Sequence, residues 1–120
     1  MIVKATREGL IGRMTSTGFL IDTVVPFVAL PSTKAKGKFV KLENPTNGKK
    51  CYAIVLDVGP WNTDDDDYVF NGKRPQVENS PTDKSGRPDN NAGIDLSERV
   101  WHLLEMKTNS NVNWEFLPDL

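Results

Sequence analysis

A chain of 120 residues with 38% apolar side chains can bury one compact core and little more, so the expectation is a single domain over residues 1–120. The 15 basic and 16 acidic residues leave a net charge of −1, which argues against nucleic acid as a partner. No apolar run approaches the ~18 residues of a membrane span, and the lone Cys51 cannot form an intrachain disulfide.

Residues 2–6 read as a first strand, and Met1-Ile2-Val3-Lys4 shows no signal-peptide pattern, running straight into polar sequence. Residues 10–19 are rich in Gly and Thr and turn-like. A second apolar run covers residues 21–28, with Pro26 and Pro31 limiting regular pairing there. Phe39-Val40-Lys41-Leu42-Glu43 and Tyr52-Ala53-Ile54-Val55-Leu56 then flank a turn whose Asn47-Gly48 tolerates positive φ, which predicts a β-hairpin over residues 38–57. Alternation along its second strand places Cys51, Ala53, Val55 and Asp57 on one face, so Asp57 should end a face of small apolar residues at the rim of the core. Cys51 reads as a small buried hydrophobe.

Residues 62–92 form a long insertion with four consecutive aspartates (residues 64–67) and many Pro, Asn, Ser and Gly. Structureless stretches of this length are usually functional or disordered. The aspartate run lacks the alternating ligand spacing of an EF-hand and reads as a solvated acidic loop. Trp61, Tyr68 and Phe70 fit either a stacking platform for a sugar ring or anchors that pin the loop to the body. Leu96, Val100, Leu103 and Leu104 follow a helical spacing and predict one short helix, starting at Asp95 or Ser97 and ending near Met106. Val112-Asn113-Trp114-Glu115-Phe116 reads as a last alternating strand.

The sequence holds no nucleophile elbow, no phosphate-binding glycine loop and no CxxC pair. Its one histidine, His102, falls mid-helix at an expected surface or half-buried position, so serine–histidine hydrolysis and a histidine-rich zinc site are poor readings. Neither a metal nor a cofactor is expected. Carboxylates remain. Asp57, before Val58-Gly59-Pro60, is either a turn former or a strand-end carboxylate held by the sheet. Asp95, three residues before Glu98, is either a helix cap or, if Ser97 supplies the cap, a free group.

These motifs resemble those of double-psi β-barrel cell-wall proteins. Thr15-Ser16-Thr17-Gly18 is similar to their Thr-Ala-Thr-Gly segment, and Val28-Ala29-Leu30-Pro31, Asn44-Pro45 and Asn47-Gly48 follow in the family's order. Asp57-Val58-Gly59-Pro60-Trp61 resembles the Asp-Arg-Gly-Pro-Phe signature of the rare lipoprotein A group. Gly93-Ile94-Asp95-Leu96-Ser97 resembles the Ile-Asp-Leu-Ser signature that this group shares, in variant form, with expansins. The barrel domains of lytic transglycosylase A have related aspartates at the same two places. The chain departs from the rare lipoprotein A pattern at Pro26-Phe27-Val28, where that group carries Ala-Ala-His.

The resemblance implies a mainly β fold: a six-stranded double-psi β-barrel with one short α-helix and the long loop insertion. It implies action on a glycan strand, commonly peptidoglycan, with Asp95 as acid/base and Asp57 as its electrostatic partner. Thr6, Thr17, Trp61 and Tyr68 are the expected substrate-binding residues. The alternatives are an expansin-like module that grips polysaccharide without cutting it, and an inverting glycoside hydrolase. An extracytoplasmic location and a monomeric state complete the expectation.

Overall fold

Gly48, at φ +76°, helps the chain reverse into its longest strand, and the barrel is built outward from that hairpin. The computed structural model describes residues 1–79 and 90–118. The strands are β1 (Ile2–Arg7), β2 (Phe27–Leu30), β3 (Phe39–Glu43), β4 (Lys50–Val58), β5 (Ile94–Leu96) and β6 (Asn111–Phe116). Two short helices, α1 (Asp66–Asn71) and α2 (Glu98–Leu103), complete the regular structure together with two 3-10 turns.

The strands close into a barrel in the order β1-β5-β2-β4-β3-β6. β3 and β4 pair antiparallel as the predicted hairpin, from Phe39 opposite Ile54 to Glu43 opposite Lys50. β6 pairs antiparallel with both β3 and β1 and so removes the sheet edge. Elsewhere the topology is crossed. β5 lies between the consecutive strands β1 and β2, and β2 lies between the consecutive strands β4 and β5. Each consecutive pair is antiparallel with a foreign strand between its members, and each arrangement threads a strand of the other. This is the double-psi pattern.

Alternation supplies the core. Val3 and Ala5 of β1, Val28 and Leu30 of β2, Val40 and Leu42 of β3, Ala53 and Val55 of β4, Ile94 and Leu96 of β5, and Val112 and Trp114 of β6 fill the interior. β2 is buried along its whole length, because Phe27, on its other face, meets the edge of Phe19 from the preceding loop. The hairpin turn also fixes α2: the side-chain amides of Asn44 and Asn47 donate to the Leu104 carbonyl at 3.0 and 3.1 Å, satisfying a helix-end acceptor.

Several expectations need correction. The apolar run at residues 21–28 forms a strand only from Phe27, where Pro26 no longer interrupts pairing. Residues 94–96 are a strand, so α2 starts later than Asp95. The insertion contains a second helix, and its aspartate run is not a solvated loop. Asp65 is 1% exposed and stands at the N-cap position of α1, while Asp66 accepts from Ser32 Oγ at 2.6 Å and pairs with Lys34 at 2.9 Å. Residues 80–89 of the predicted insertion lie outside the described residues. Cys51 is half-buried, and burial pushes its thiol up to about 11. His102 is exposed, as expected, 3.5 Å from Glu98. Among the described residues no helix is long and apolar enough to cross a membrane.

Candidate active site

Register places the two aspartates in one row. Thr6 of β1 stands opposite Asp95 of β5, Asp95 stands opposite Ala29 of β2, and Ala29 stands opposite Asp57 of β4. Residues directly opposite one another project from the same face of a sheet. Ile94 and Leu96 point inward, so Asp95 points out of the barrel, and the row follows it.

Simple alternation would have sent Asp57 inward with Ala53 and Val55. A β-bulge prevents this. Val28 pairs with Val55, but the next residue, Ala29, pairs with Asp57, so β4 contributes one extra residue at Leu56. The extra residue reverses the facing of everything after it. The expected grouping of Asp57 with Cys51, Ala53 and Val55 is therefore corrected: Asp57 leaves that face and joins Asp95. Thr17 secures the bulge, because its hydroxyl donates to the Leu56 carbonyl at 2.7 Å and contacts Thr15 Oγ at 2.9 Å.

Ser97 decides the role of Asp95. Its hydroxyl oxygen accepts from the Val100 N–H at 3.3 Å, which caps α2, and from the Phe27 N–H at 3.1 Å. Asp95 has no capping duty. Its Oδ1 instead accepts a short hydrogen bond from the Thr6 hydroxyl. A Cβ at Gly59 would lie 3.9 Å from Asp95 Oδ2, so the glycine backbone runs directly past the carboxyl. Gly59 has φ +144°, a conformation that side-chain-bearing residues avoid.

Glu8 is the participant that reading the sequence missed. It follows β1, two residues after Thr6, and its N–H donates to the Leu96 carbonyl at 2.8 Å. Gly9 and Leu10, both at positive φ, then turn the chain away. The Glu8 carboxyl meets that of Asp57. The spacing from Thr6 was the available signal, since residues two apart share a strand face, but nothing local announced that β1 ends beside β4's aspartate.

The electrostatics separate the three carboxyls. Burial, opposed by the Thr6 hydrogen bond and reinforced by the Asp57 charge, pushes Asp95 up to about 6. Burial also pushes Glu8 up, together with its hydrogen bond to Asp57 and the charges of Asp57 and Asp95, to about 9. Burial alone would raise Asp57 as well. The hydrogen bonds it accepts from Glu8 and from the N–H groups of Ser16 and Val58, at 3.0 and 2.9 Å, outweigh that and hold it below the ordinary carboxylate range. At neutral pH Glu8 is a neutral acid, Asp57 an anion, and Asp95 mostly ionised with a protonated minority.

The remaining expected site residues divide. Thr6 is buried against Asp95. Thr17 stands at the rim with its hydroxyl committed to the bulge. The Trp61 indole, half-buried, donates to Asn90 Oδ1 at 3.0 Å, tying the chain after β4 to the segment before β5. Tyr68 is 1% exposed: its hydroxyl donates to the Gly93 carbonyl at 2.9 Å and accepts from the Trp114 indole at 2.8 Å. Of the two readings open for Tyr68, anchor rather than sugar platform fits, and the expected binding role is corrected. Phe70 stacks on Phe116. A cavity of about 880 Å³ lined by Lys34, Lys36, Lys38 and Phe39 lies apart from the carboxyls.

The sequence profile of DUF8814, described as a domain of unknown function, matches residues 1–82. No curated protein matches the chain in sequence. Among solved structures, the Streptomyces papain inhibitor is 18% identical with a TM-score of 0.56, over 98% of this chain and 94% of that one. The GH45 endoglucanase EG27II, solved in complex with cellobiose, is 15% identical with a TM-score of 0.46, over 99% of this chain and 81% of that one. The first likeness speaks to the fold alone, and the second carries no argument.

Proposed function

We propose that the chain, which belongs to the DUF8814 family of domains of unknown function, is a glycan-cleaving enzyme that acts in the manner of a peptidoglycan lytic transglycosylase. The observation that carries the reading is the outward-facing row Thr6–Asp95–Ala29–Asp57, in which two carboxyls on different strands are held in different protonation states. Pairs of acids whose surroundings push them apart mark acid/base assignments.

Asp95, protonated below about pH 6, is the acid that gives its proton to the glycosidic oxygen. Asp57, held ionised, stabilises the positive charge that develops at the anomeric carbon as the bond breaks. Asp95, now a carboxylate, takes the proton of the muramic acid 6-hydroxyl, whose oxygen closes on the anomeric carbon to give the 1,6-anhydro product. Thr6 holds the Asp95 carboxyl in place, and Trp61, four residues after Asp57, is the aromatic offered to the glycan.

Inverting hydrolysis is the second reading, favoured by one observation. Asp57 and Asp95 stand on the same face of the sheet with Ala29 of β2 between them, rather than side by side. Inverting enzymes hold their carboxyls about 6.5–9.5 Å apart, leaving room for a water. Incubation with purified sacculi separates the two readings. Anhydro-muropeptides detected by mass spectrometry support the first, and reducing ends of inverted configuration the second. Retention on insoluble glycan with no soluble product would overturn both in favour of a binding module. If Asp95→Asn releases as much product as the unaltered chain, the assignment of Asp95 fails.

A further inference from the structure

Glu8 belongs to no motif in the chain, yet its carboxyl sits against Asp57. Its Oε2 is buried without any N–H or O–H partner. An ionised carboxylate there would place a second anion against Asp57, with no donor to relieve the Glu8 oxygen. Arg7, the adjacent cation, offers no relief, because its guanidinium is turned to Glu98 in a bidentate pair at 2.5 and 2.6 Å and lies over Trp101. The charged groups that act on Glu8 are Asp57 from β4 and Asp95 from β5, both acidic. A proton on Glu8 removes the conflict, since the carboxyl then donates to Asp57.

We propose that Glu8 is a positioning residue of this site: as a neutral acid it donates a hydrogen bond to Asp57 and so fixes Asp57, rather than Asp95, as the carboxyl that carries the negative charge. The inference rests on the glycan-cleaving reading for its functional consequence, though the proton placement stands apart from it. Two outward carboxyls in one row compete for protons as the pH falls. A donor bound to one of them settles the competition, because hydrogen bonding to the charged form lowers that group's proton affinity. Asp57 already accepts N–H groups from Ser16 and Val58, and Glu8 adds an O–H that neither backbone donor duplicates. The result is a pH interval in which Asp95 is protonated and Asp57 is not, which is the state in which one acid can donate while the other stabilises a cation.

Carboxyl carbon NMR on the full chain tests the proton placement without any substrate. In the unaltered protein one glutamate resonance, identified by its loss in Glu8→Gln, should stay protonated through neutral pH and titrate near 9, and Asp57 should titrate below the ordinary range. Glu8→Ala should shift the Asp57 titration upward, while Glu8→Gln, whose amide N–H still donates, should hold it low. With sacculi as substrate, the acid limb of the pH–activity profile should move upward in Glu8→Ala and return in Glu8→Gln, with the alkaline limb set by Asp95 unmoved. A Glu8 that titrates as an ordinary glutamate, or an Asp57 titration identical in all three proteins, overturns the inference. Correct titrations with no cleavage of any glycan would instead overturn the reading of the activity.

Discussion

Replacing Asp95 by asparagine should stabilise the protein at mildly alkaline pH, and on the proposed reading it should abolish glycan cleavage. The Asp95 carboxyl is raised from 3.8 to about 6, so the folded state binds this proton more tightly than the unfolded chain. Its contribution is therefore complete below the unfolded value and lost as the pH rises through about 6. Two pH units at ~1.4 kcal/mol each put that loss at ~3 kcal/mol once the group is ionised. Asparagine keeps an acceptor for the Thr6 hydroxyl and never ionises. Urea unfolding of both proteins at about pH 4 and about pH 8 reads the term, because titrating groups away from Asp57 and Glu8 cancel in the difference. The variant should be near parity at the acid end and ~2–3 kcal/mol more stable at the alkaline end. A gain of equal size at both pH values, or a loss at the alkaline one, would refute the account of Asp95 as a desolvated, partly relieved acid.

Gly59→Ala should cost ~1–3 kcal/mol through its backbone alone, since φ +144° is strained for alanine while the added Cβ meets Asp95 Oδ2 at an ordinary 3.9 Å; thermal unfolding reads this directly. Thr17→Val removes the hydroxyl on the Leu56 carbonyl and should cost ~1 kcal/mol in urea unfolding, and on the proposed reading it should also lower glycan cleavage because the bulge sets the facing of Asp57. Tyr68→Phe leaves the buried Trp114 indole N–H and the Gly93 carbonyl without their partner and should destabilise by ~1–3 kcal/mol or more; urea unfolding followed by tryptophan fluorescence measures it.

Much of the scaffold was legible because it depends on local rules. Asn47-Gly48 predicted a hairpin over residues 38–57, and the fold has it as β3 and β4. The spacing of Leu96, Val100 and Leu104 marked a helix, and Ser97, one of its two candidate starts, is its N-cap. Residues 94–96 form a strand too short to announce itself, and their extended conformation is imposed by β1 and β2 on either side. The burial of Asp65 within the aspartate run was illegible for a related reason. Four acids in sequence read as solvated, and only the approach of Ser32, Lys34 and the Gln76 N–H supplies the partners that keep Asp65 and Asp66 in the body of the protein.

The sequence by itself determined which faces could be buried and where the chain could turn, because side-chain hydrophobicity and backbone preference act over a few residues; Asp57 and Asp95 were singled out by the resemblance of their motifs. Only the tertiary structure decided how those carboxyls relate. A single extra residue at Leu56 reverses the facing of Asp57, and strand order, which no local pattern encodes, sets Thr6, Asp95, Ala29 and Asp57 in one row. Proton affinity followed from the same long-range placement. Glu8, Asp57 and Asp95 are ordinary acids in sequence; they come to differ because the closed barrel buries them together and gives each a different number of donors.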